Sequence, residues 1–378
     1  MRYYIIAGEA SGDLHASNLV KSIFQQDNQA VIRGFGGNLM QNEGVQLVKH
    51  YRELAFMGFI PVLLNIRTIF RNLSFCQQDI TDFKPDVVIL IDYPGFNLKI
   101  AKFVKLHLKL PVFYYIPPKI WAWKEYRIKA IKKYIDKVFT IFPFETEFYA
   151  KHQCEVQYVG NPSVESVHTY QATAPNRSIF IQQNALDDKK IIALLPGSRK
   201  QELEACLPIM LQVDFSQFAD YQFIVAGTDA LPCTLYHTLM KGSNAKIVYG
   251  KTYDLLQHAE AAIVTSGTAT LETALFNVPQ VVCYEAFLSR LVAPFLRMVL
   301  KIKYVSLVNI IAQKELVKEL LIQDFTPKNT QKELKKLVFD QAYRANILAG
   351  YQQLHTELGT TIASDTAAKA MVNYLKKE

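Results

Sequence analysis

Short runs of apolar, often β-branched residues recur along the chain, and each is followed by a stretch in which apolar residues return every three or four positions. Continuous apolar runs are typical of strands buried on both faces of a sheet, and the longer spacing is typical of amphipathic helices. Their alternation predicts βαβ units and parallel sheets. The predicted strands are Tyr3–Ala7, Val87–Ile91, Val112–Tyr115, Val138–Ile141, Ile191–Leu195, Phe223–Ala226, Ala261–Val264 and Gln280–Cys283.

The predicted strands form two series, separated by the more polar stretch Ser163–Asn176. A chain of 378 residues exceeds what one hydrophobic core usually organises. We therefore predict two doubly wound α/β domains, residues 1–165 and 166–340. The pattern is wholly helical after about Thr330, and we expect the helices of residues 341–378 to pack back on the N-terminal domain. In such sheets ligands bind beyond the carboxyl ends of the strands.

The composition favours folded domains with a basic surface. Half of the residues are apolar and 20% are charged, which excludes a disordered chain. The net charge of +8 favours an anionic partner. Many basic residues lie beside apolar segments, which favours a lipid surface over nucleic acid, with solvated helix faces as the alternative. These residues are Arg67, Arg71, Lys119, Lys124, Arg127, Lys129, Arg290, Arg297, Lys301 and Lys303.

The sequence indicates no targeting segment, disulfide framework or metal site. The N-terminus runs directly into the strand-like Tyr3–Ala7, so we expect no signal peptide and a cytoplasmic protein. The five cysteines form no CxxC pair, and the eight histidines show no metal-ligand spacing, so we expect no metal and no cofactor. The most apolar stretches, Leu54–Phe70 and Val281–Leu300, are interrupted by charge and proline and predict no membrane-spanning helix.

Two strand ends in the first half carry candidate chemistry. Gly8–Asp13 follows the first strand and opens a helix, where glycines let a substrate approach the backbone; an ordinary tight turn is the alternative. Asp92 follows Val87–Ile91, where a carboxylate is costly to bury unless it has a task such as general-base catalysis; capping the next helix is the alternative. The glycine-rich Gly34–Gly37 is predicted to form a second exposed loop.

Two strand ends in the second half suit an anionic nucleotide. Pro196–Arg199 presents backbone N–H groups, a hydroxyl and a guanidinium, which favours phosphate binding over a plain turn. Ser266–Glu272 contains small residues that permit close approach of a ligand. Glu272 could accept hydrogen bonds from ribose hydroxyls, or it could be a solvated helix residue.

The segment Leu54–Phe70 concentrates large apolar residues next to Arg67 and Arg71. At helical spacing such a stripe is usually part of the core. The adjoining arginines and the proline in mid-segment favour a surface that dips into a bilayer. Val281–Lys303 repeats the combination of apolar and basic residues. Both interpretations remain open from the residues alone.

Taken together and in order, these motifs resemble those of the lipid-A-disaccharide synthase family. The resemblance runs through most of the chain, and its conjunction of motifs is far more specific than any single one. The matching segments are Gly8–Asp13, Leu54–Gly58, Lys84–Asp86, Asp92–Asn97, Trp121–Trp123, Pro143–Glu145, Val159–Asn161, Leu194–Arg199, Ser266–Glu272 and Tyr304–Asn309.

The resemblance implies an inverting glycosyltransferase with two Rossmann-like domains facing a central cleft. It implies transfer of a 2,3-diacylglucosamine from UDP to the 6-hydroxyl of 2,3-diacylglucosamine 1-phosphate, at the cytoplasmic face of the inner membrane. Nucleic acid is not an expected partner, and a homodimer is left open. Asp92 matches the family's essential aspartate and is the candidate base, with Glu9 as the second catalytic candidate.

The resemblance also assigns binding residues. The implied UDP contacts are Gly197, Ser198, Arg199, Ser266, Gly267, Thr268, Ala269 and Glu272. Further implied active-site residues are Ser11, Gly12, Asp13, Asn97, Asn161 and Asn309. Residues expected to meet acyl chains or membrane are Met57, Phe59, Leu63, Leu64, Ile66 and Phe70.

The sequence departs from the family pattern at two positions, and rival functions remain. Asn161 stands where a histidine is expected, and Val308 stands where a proline is expected. The same architecture serves UDP-N-acetylglucosamine 2-epimerases and other UDP-sugar enzymes, because a fold does not fix the chemistry. An inactive UDP-sugar-binding protein recruited to a membrane is the alternative from outside the enzymes.

Overall fold

The computed structural model describes residues 1–54, 66–285 and 303–376. The chain divides into two compact units. The first consists of Met1–Pro162 with Thr361–Glu378, and the second of Ser163–Thr360. Each unit is built on one parallel sheet with helical connections, which confirms the predicted α/β class and the two doubly wound domains.

The first unit contains seven parallel strands. They are β1 (Arg2–Ala7), β2 (Val31–Gly36), β3 (Gln46–His50), β4 (Val87–Ile91), β5 (Val112–Tyr115), β6 (Lys137–Thr140) and β7 (Gln157–Tyr158). The sheet order is β3-β2-β1-β4-β5-β6-β7, so the direction of winding changes between β1 and β4. The described helices that connect them are α1 (Ala10–Gln26), α2 (Asn38–Asn42), α3 (Ile66–Phe83), α4 (Pro94–Phe103), α5 (Ile128–Tyr134) and α6 (Pro143–Lys151).

The second unit repeats the plan with six parallel strands. They are β8 (Lys190–Leu195), β9 (Tyr221–Gly227), β10 (Lys246–Tyr249), β11 (Ala259–Thr265), β12 (Gln280–Tyr284) and β13 (Glu319–Leu321), in the order β10-β9-β8-β11-β12-β13. The described helices begin with α7 (Pro162–Gln171), α8 (Arg177–Gln183), α9 (Lys200–Leu211), α10 (Cys233–Leu239) and α11 (Thr252–His258). They continue with α12 (Thr268–Leu275), α13 (Leu307–Ala312), α14 (Pro327–Phe339) and α15 (Gln341–Leu358), and α16 (Ala363–Leu375) follows in the first unit.

Short 3₁₀ turns at Tyr51–Glu53, Glu125–Arg127 and Phe215–Gln217, and a π-helical turn at Val104–Leu108, complete the described helical structure. The central strands are apolar because both faces of each sheet are covered. Every residue of β4 is buried, as are all residues of β1 after its first. This is the pattern expected of parallel strands packed between helices.

The glycine-rich segment predicted as a loop is instead part of a strand. Gly34 and Gly36 lie in β2, and the prediction of an exposed loop over Gly34–Gly37 is wrong for these residues. A Cβ atom at Gly34 would lie 1.9 Å from the backbone oxygen of Ile5 in the neighbouring β1. The glycine is therefore explained by close packing of two paired strands.

The C-terminal helices are divided between the two units. Helix α15 packs within the second unit, where the Tyr351 hydroxyl accepts a hydrogen bond from the amide of Gln280 at 3.1 Å. Helix α16 packs in the first unit, where Met371 joins the core cluster of Leu19 and Ile23 from α1. The structure thus separates residues 341–360 from 361–378, which the sequence pattern grouped in one tail.

Candidate functional site

Strand register brings the first unit's candidate loops side by side. Ala7 of β1 is paired with Ile91 of β4, and Ile91 with Tyr115 of β5. The residues that follow these strands therefore emerge next to one another at the carboxyl edge of the sheet. A Cβ atom on Gly8 would lie 2.3 Å from the ring of Tyr93, so the glycine permits this close approach of the two loops.

The backbone at Asp92 is held in an unusual conformation. Asp92 and Tyr93 have φ values of 44° and 45°. These values lie in the left-handed region, which residues other than glycine rarely occupy. The Asp92 carbonyl accepts hydrogen bonds from the Tyr114 hydroxyl at 2.6 Å and from the Asn97 amide at 2.7 Å. Strain of this kind persists only where the surroundings fix it, and it concentrates at functional sites. Asn97 therefore acts by positioning the Asp92 backbone.

The environment of the Asp92 side chain tunes its basicity. Burial raises the pKa of Asp92, while the positive charge of Lys119 and the backbone N–H of Tyr93 act in the opposite direction. A carboxylate with a raised pKa is a stronger base near neutral pH. Lys119 is exposed in the loop after β5, and sequence reasoning did not connect it with Asp92.

Lys119→Met should move the acid limb of the pH–rate profile to higher pH. The lysine favours the ionised carboxylate of Asp92, so its removal raises the pKa of that group further. Asp92, the candidate base, is then protonated at a higher pH, and kcat/KM should fall earlier on acidification. The measurement is kcat/KM against pH for the wild type, Lys119→Met and the charge-retaining Lys119→Arg. An acid limb that is identical in all three proteins would contradict this coupling.

Glu9 lies at the N-terminal end of α1, directly after the strand end. Burial, and then the charge of Glu9, raise the pKa of Tyr93. The charge of Glu9 therefore acts on Tyr93, which follows Asp92 in the same loop. Ser11 in the next turn is exposed, and Gly12 is buried. A Cβ atom added to Gly12 would lie 3.4 Å from the Cβ of Ala7.

Asp13, a predicted active-site residue, is engaged in the fold. Its buried carboxylate accepts hydrogen bonds from the backbone N–H groups of Gly37 at 2.7 Å, Leu39 at 3.1 Å and Met40 at 3.1 Å. These are the donors at the start of α2, where helix N–H groups have no intrahelical acceptor. The Asp13 carboxylate therefore caps α2 and ties it to α1.

Glu145, which was not among the predicted site residues, is a buried carboxyl group in the first turn of α6. The Glu145 carboxylate accepts hydrogen bonds from the Trp121 indole at 3.1 Å and from the N–H groups of Ile141 at 3.2 Å and Phe142 at 3.1 Å. Burial raises the pKa of Glu145 to about 7, against these three donors and the charge of Lys119. Glu145 therefore joins the loops after β5 and β6 through their backbone and indole donors.

One cavity of the second unit contains all eight residues predicted to contact UDP. Its volume is about 490 Å³, and it lies at the carboxyl ends of β8, β9 and β11. Helices α9 and α12 begin beside it, so two sets of N-terminal N–H groups are available to an anion. The predicted residues in its wall are Gly197, Ser198, Arg199, Ser266, Gly267, Thr268, Ala269 and Glu272.

Glu202 organises the loop that carries Arg199. Its carboxylate accepts hydrogen bonds from the N–H groups of Ser198 at 3.1 Å and Arg199 at 3.3 Å, and it lies 3.3 Å from the Arg199 guanidinium. Gly197 has a φ of 103°, and an added Cβ would lie 2.6 Å from Glu202. The loop therefore needs glycine at this position, and the guanidinium remains largely exposed to a ligand.

Glu272 also lines this cavity. Burial raises the pKa of Glu272, and a hydrogen bond from the Tyr253 hydroxyl acts in the opposite direction. The Ser266 hydroxyl donates to the backbone oxygen of Val305 at 3.0 Å. That contact joins the wall of the cavity to the segment that precedes α13.

Asn309, another predicted active-site residue, is not part of the cavity wall. Its buried amide donates to the Val317 oxygen at 2.8 Å and to Glu319 at 2.9 Å, while its oxygen accepts from Leu316 at 2.8 Å and Val317 at 2.9 Å. Leu316 and Val317 lie between α13 and β13, and Glu319 is the first residue of β13. Glu319 also accepts from the N–H group of Val305, whose oxygen accepts from Ser266, so Glu319 and Val305 connect Asn309 to Ser266.

Comparison with known proteins decides the family. A model of the lipid-A-disaccharide synthetase family matches residues 3–372. The chain is 34% identical over 380 residues to the lipid-A-disaccharide synthase of Myxococcus xanthus, with 99% of this chain and 97% of that protein covered. The chain belongs to the lipid-A-disaccharide synthase family.

Solved structures share the fold of this synthase-family chain at low identity. A UDP-GlcNAc 2-epimerase from Neisseria meningitidis, bound to UDP-GlcNAc, superposes with a TM-score of 0.65 at 13% identity and full coverage of both chains. The calicheamicin glycosyltransferase CalG4 has a TM-score of 0.58 at 14% identity, with 100% of this chain and 98% of that chain covered. The likeness supports the two-Rossmann-domain architecture and does not choose between the two chemistries.

The departures from the synthase-family pattern have local explanations. The Asn161 amide donates to the Ile141 oxygen at 3.0 Å and so joins the loops after β6 and β7. Val308 is fully buried within α13. Position 161 therefore accommodates a side chain that donates to a backbone carbonyl. Position 308 accommodates an apolar side chain.

Part of the predicted membrane surface lies outside the described residues. Met57, Phe59, Leu63 and Leu64 fall there, as do Arg290, Arg297 and Lys301. Ile66 is the first described residue of α3, and Phe70 on the same helix is 53% exposed. In the described ranges, no helix is long and apolar enough to cross a membrane, and no cluster of three potential metal ligands occurs.

Proposed function

We propose that the chain transfers a 2,3-diacylglucosamine from UDP to the 6-hydroxyl of 2,3-diacylglucosamine 1-phosphate. The product is the β-1,6-linked disaccharide 1-phosphate, and UDP is released. The observation that carries this proposal is the gathering of all eight implied UDP contacts around one cavity, in a chain of the lipid-A-disaccharide synthase family.

The second unit binds and stabilises the nucleotide. We infer that the diphosphate binds beside the Pro196–Arg199 loop, at the starts of α9 and α12. Because Glu202 already accepts from the N–H groups of Ser198 and Arg199, the groups that meet the charge of the diphosphate are the Arg199 guanidinium and the N–H groups of the first helical turns. Charge on the departing diphosphate grows as the sugar–phosphate bond breaks. Donors already fixed at that position stabilise the transition state more than the ground state.

The first unit supplies the base. Asp92 accepts the proton of the acceptor 6-hydroxyl while the oxygen of that hydroxyl attacks the anomeric carbon of the donor. The bond from that carbon to the diphosphate breaks, and its electron pair leaves with UDP. Attack from the face opposite the leaving group inverts the anomeric configuration. The raised pKa and fixed backbone of Asp92 support this assignment, and Glu9 is the second carboxylate near the same loop.

Acceptor-dependent release of UDP tests this function. UDP formation from UDP-2,3-diacylglucosamine should be slow without the acceptor and should rise by orders of magnitude when 2,3-diacylglucosamine 1-phosphate is added. UDP-N-acetylglucosamine, which lacks the long acyl chains, is the matched control donor. Equal release with and without the acceptor would identify a hydrolase instead.

A UDP-sugar epimerase is the second candidate, because an epimerase shares the fold. Epimerisation of UDP-N-acetylglucosamine needs no lipid-facing surface. The exposed phenylalanines Phe70 and Phe75, on a helix that also presents Arg67 and Arg71 to solvent, favour the lipid-substrate enzyme. Conversion of UDP-N-acetylglucosamine to its 2-epimer would reverse this preference.

We also propose that the chain attaches to the cytoplasmic face of the inner membrane through the segment around α3. Each aliphatic side chain withdrawn from water contributes roughly 1–2 kcal/mol, and each basic residue adds about 1 kcal/mol at an anionic surface. Phe70, exposed at 53%, and the exposed Arg67 and Arg71 are the described part of this surface. A handful of such residues suffices for reversible binding.

Replacing Leu63, Leu64, Ile66 and Phe70 by serine should release the protein from anionic vesicles and improve its solubility. UDP affinity should be unchanged, because the nucleotide cavity lies in the other unit. Sedimentation with vesicles and calorimetric titration with UDP measure the two effects. Phe339→Ser, at a 58% exposed phenylalanine of the second unit, is the control. A quadruple variant that fails to fold would show the segment to be core.

A further inference from the structure

A tyrosine that no motif singled out contacts the carboxylate in the nucleotide cavity. The Tyr253 hydroxyl donates a hydrogen bond to Oε1 of Glu272 at 2.8 Å, and both residues line the cavity. Tyr253 comes from the first turn of α11 and Glu272 from α12, so the bond links two helices that follow different strands. Hydrogen bonds to a charged group are stronger than those between neutral groups.

The ring of Tyr253 is itself fixed by packing. It meets Tyr170 edge-on at a centroid distance of 5.4 Å and Phe276 at 5.2 Å, and those two rings meet edge-on at 5.9 Å. The Tyr170 hydroxyl donates to the carboxylate of Asp254, the residue after Tyr253. Three rings packed mutually edge-on leave the Tyr253 hydroxyl little freedom of position.

The hydrogen bond from Tyr253 orients the ionised side chain of Glu272, the form that burial disfavours. Burial raises the pKa of Glu272, and the Tyr253 hydroxyl supports the ionised form that accepts hydrogen bonds. Within the described part of the chain, this bond accounts for Oε1 and leaves Oε2 available to a ligand. A carboxylate held in this way can accept from neighbouring hydroxyls only in a narrow range of directions.

We propose that Tyr253 is a positioning residue that aims Glu272 at the ribose hydroxyls of the nucleotide, and that the pair selects ribonucleotides over deoxyribonucleotides. This inference rests on the proposed binding of UDP in the cavity. A ribose presents two adjacent hydroxyl donors to the carboxylate, and a 2′-deoxyribose presents only one. A site built to accept from a hydroxyl discriminates strongly against an analogue that lacks it.

The test measures dissociation constants for UDP and 2′-deoxy-UDP by calorimetry. We expect the wild type to prefer UDP by about tenfold or more, the size of one hydrogen bond to a charged group. Tyr253→Phe should reduce that preference several-fold by weakening UDP binding while leaving 2′-deoxy-UDP binding nearly unchanged. Tyr170→Phe is the matched control, since it removes a part-buried hydroxyl next to the same ring and should keep the wild-type preference.

The outcomes separate this inference from the proposed function. Equal weakening of both nucleotides by Tyr253→Phe would assign the residue to packing and overturn the positioning role. Equal affinity of the wild type for both nucleotides would overturn the ribose assignment of Glu272 while leaving UDP binding intact. Absence of UDP binding by the folded wild type would overturn the proposed nucleotide site itself. Glu272→Gln should lose the preference for UDP over 2′-deoxy-UDP, and combining it with Tyr253→Phe should cause no further loss. That result would support a joint role of the two residues in selecting the ribose.

Discussion

Asp92→Asn is expected to lower turnover by about 10²–10⁴-fold, the usual contribution of general-base catalysis, while UDP affinity stays close to wild type. Asparagine keeps the size and polarity of the side chain but cannot accept the proton. The hydrogen bonds that hold the local backbone end on the Asp92 carbonyl and are retained. Single-turnover rates with both lipid substrates, and calorimetry with UDP, measure the two quantities.

The second carboxylate is the control for this assignment. Glu9→Gln removes an acidic group from the neighbouring loop and should cost less than Asp92→Asn, since Glu9 is the secondary candidate. Retention of more than half of the activity by Asp92→Asn would show that Asp92 is structural. Glu9 would then be the residue to test as the base.

Arg199→Ala should weaken donor binding and lower turnover together. The exposed guanidinium meets the diphosphate in the ground state and in the leaving group alike. Loss of a hydrogen bond to a charged partner is worth about 1.5–3 kcal/mol, so we expect kcat/KM for the donor to fall roughly 10- to 100-fold.

Lys200→Ala is the matched control for Arg199. Lys200 is the next residue, its side chain is similarly exposed, and it lies 3.7 Å from Glu204 on the same helix. Its replacement should leave donor kinetics nearly unchanged. Addition of a chelator to the wild type should also have no effect if protein groups carry the leaving-group charge. Strict dependence on added magnesium would contradict that distribution of charge.

The sequence predicted the architecture well where long apolar runs carry the signal. The buried strands around Val87–Ile91 and Ile191–Leu195 were recognised because both faces of a parallel strand are covered. Shorter or more polar edge strands such as Gln46–His50 and Gln157–Tyr158 were not, because they lack such a run. Gly34 was assigned to a loop because close strand packing and an exposed turn both select glycine.

The predicted nucleotide residues line one cavity because each follows the carboxyl end of a strand, where topology determines position. The specific contacts of polar side chains were harder to predict. Asp13 and Asn309 match active-site motifs, yet their side chains bind backbone groups of α2 and of the segment before β13. Tertiary packing, which no local spacing encodes, brings the Tyr253 hydroxyl into hydrogen-bond contact with Glu272 and brings the charge of Lys119 near enough to affect the pKa of Asp92.

The product of the reaction tests the central claim most directly. The purified chain is incubated with UDP-2,3-diacylglucosamine and 2,3-diacylglucosamine 1-phosphate, and the lipid product is examined by mass spectrometry and by the proton coupling at its new anomeric centre. We predict a tetra-acylated disaccharide 1-phosphate with a β-1,6 linkage, formed in a one-to-one ratio with UDP. Recovery of both lipids unjoined by the folded wild-type protein, or a product with retained α configuration, would contradict the account.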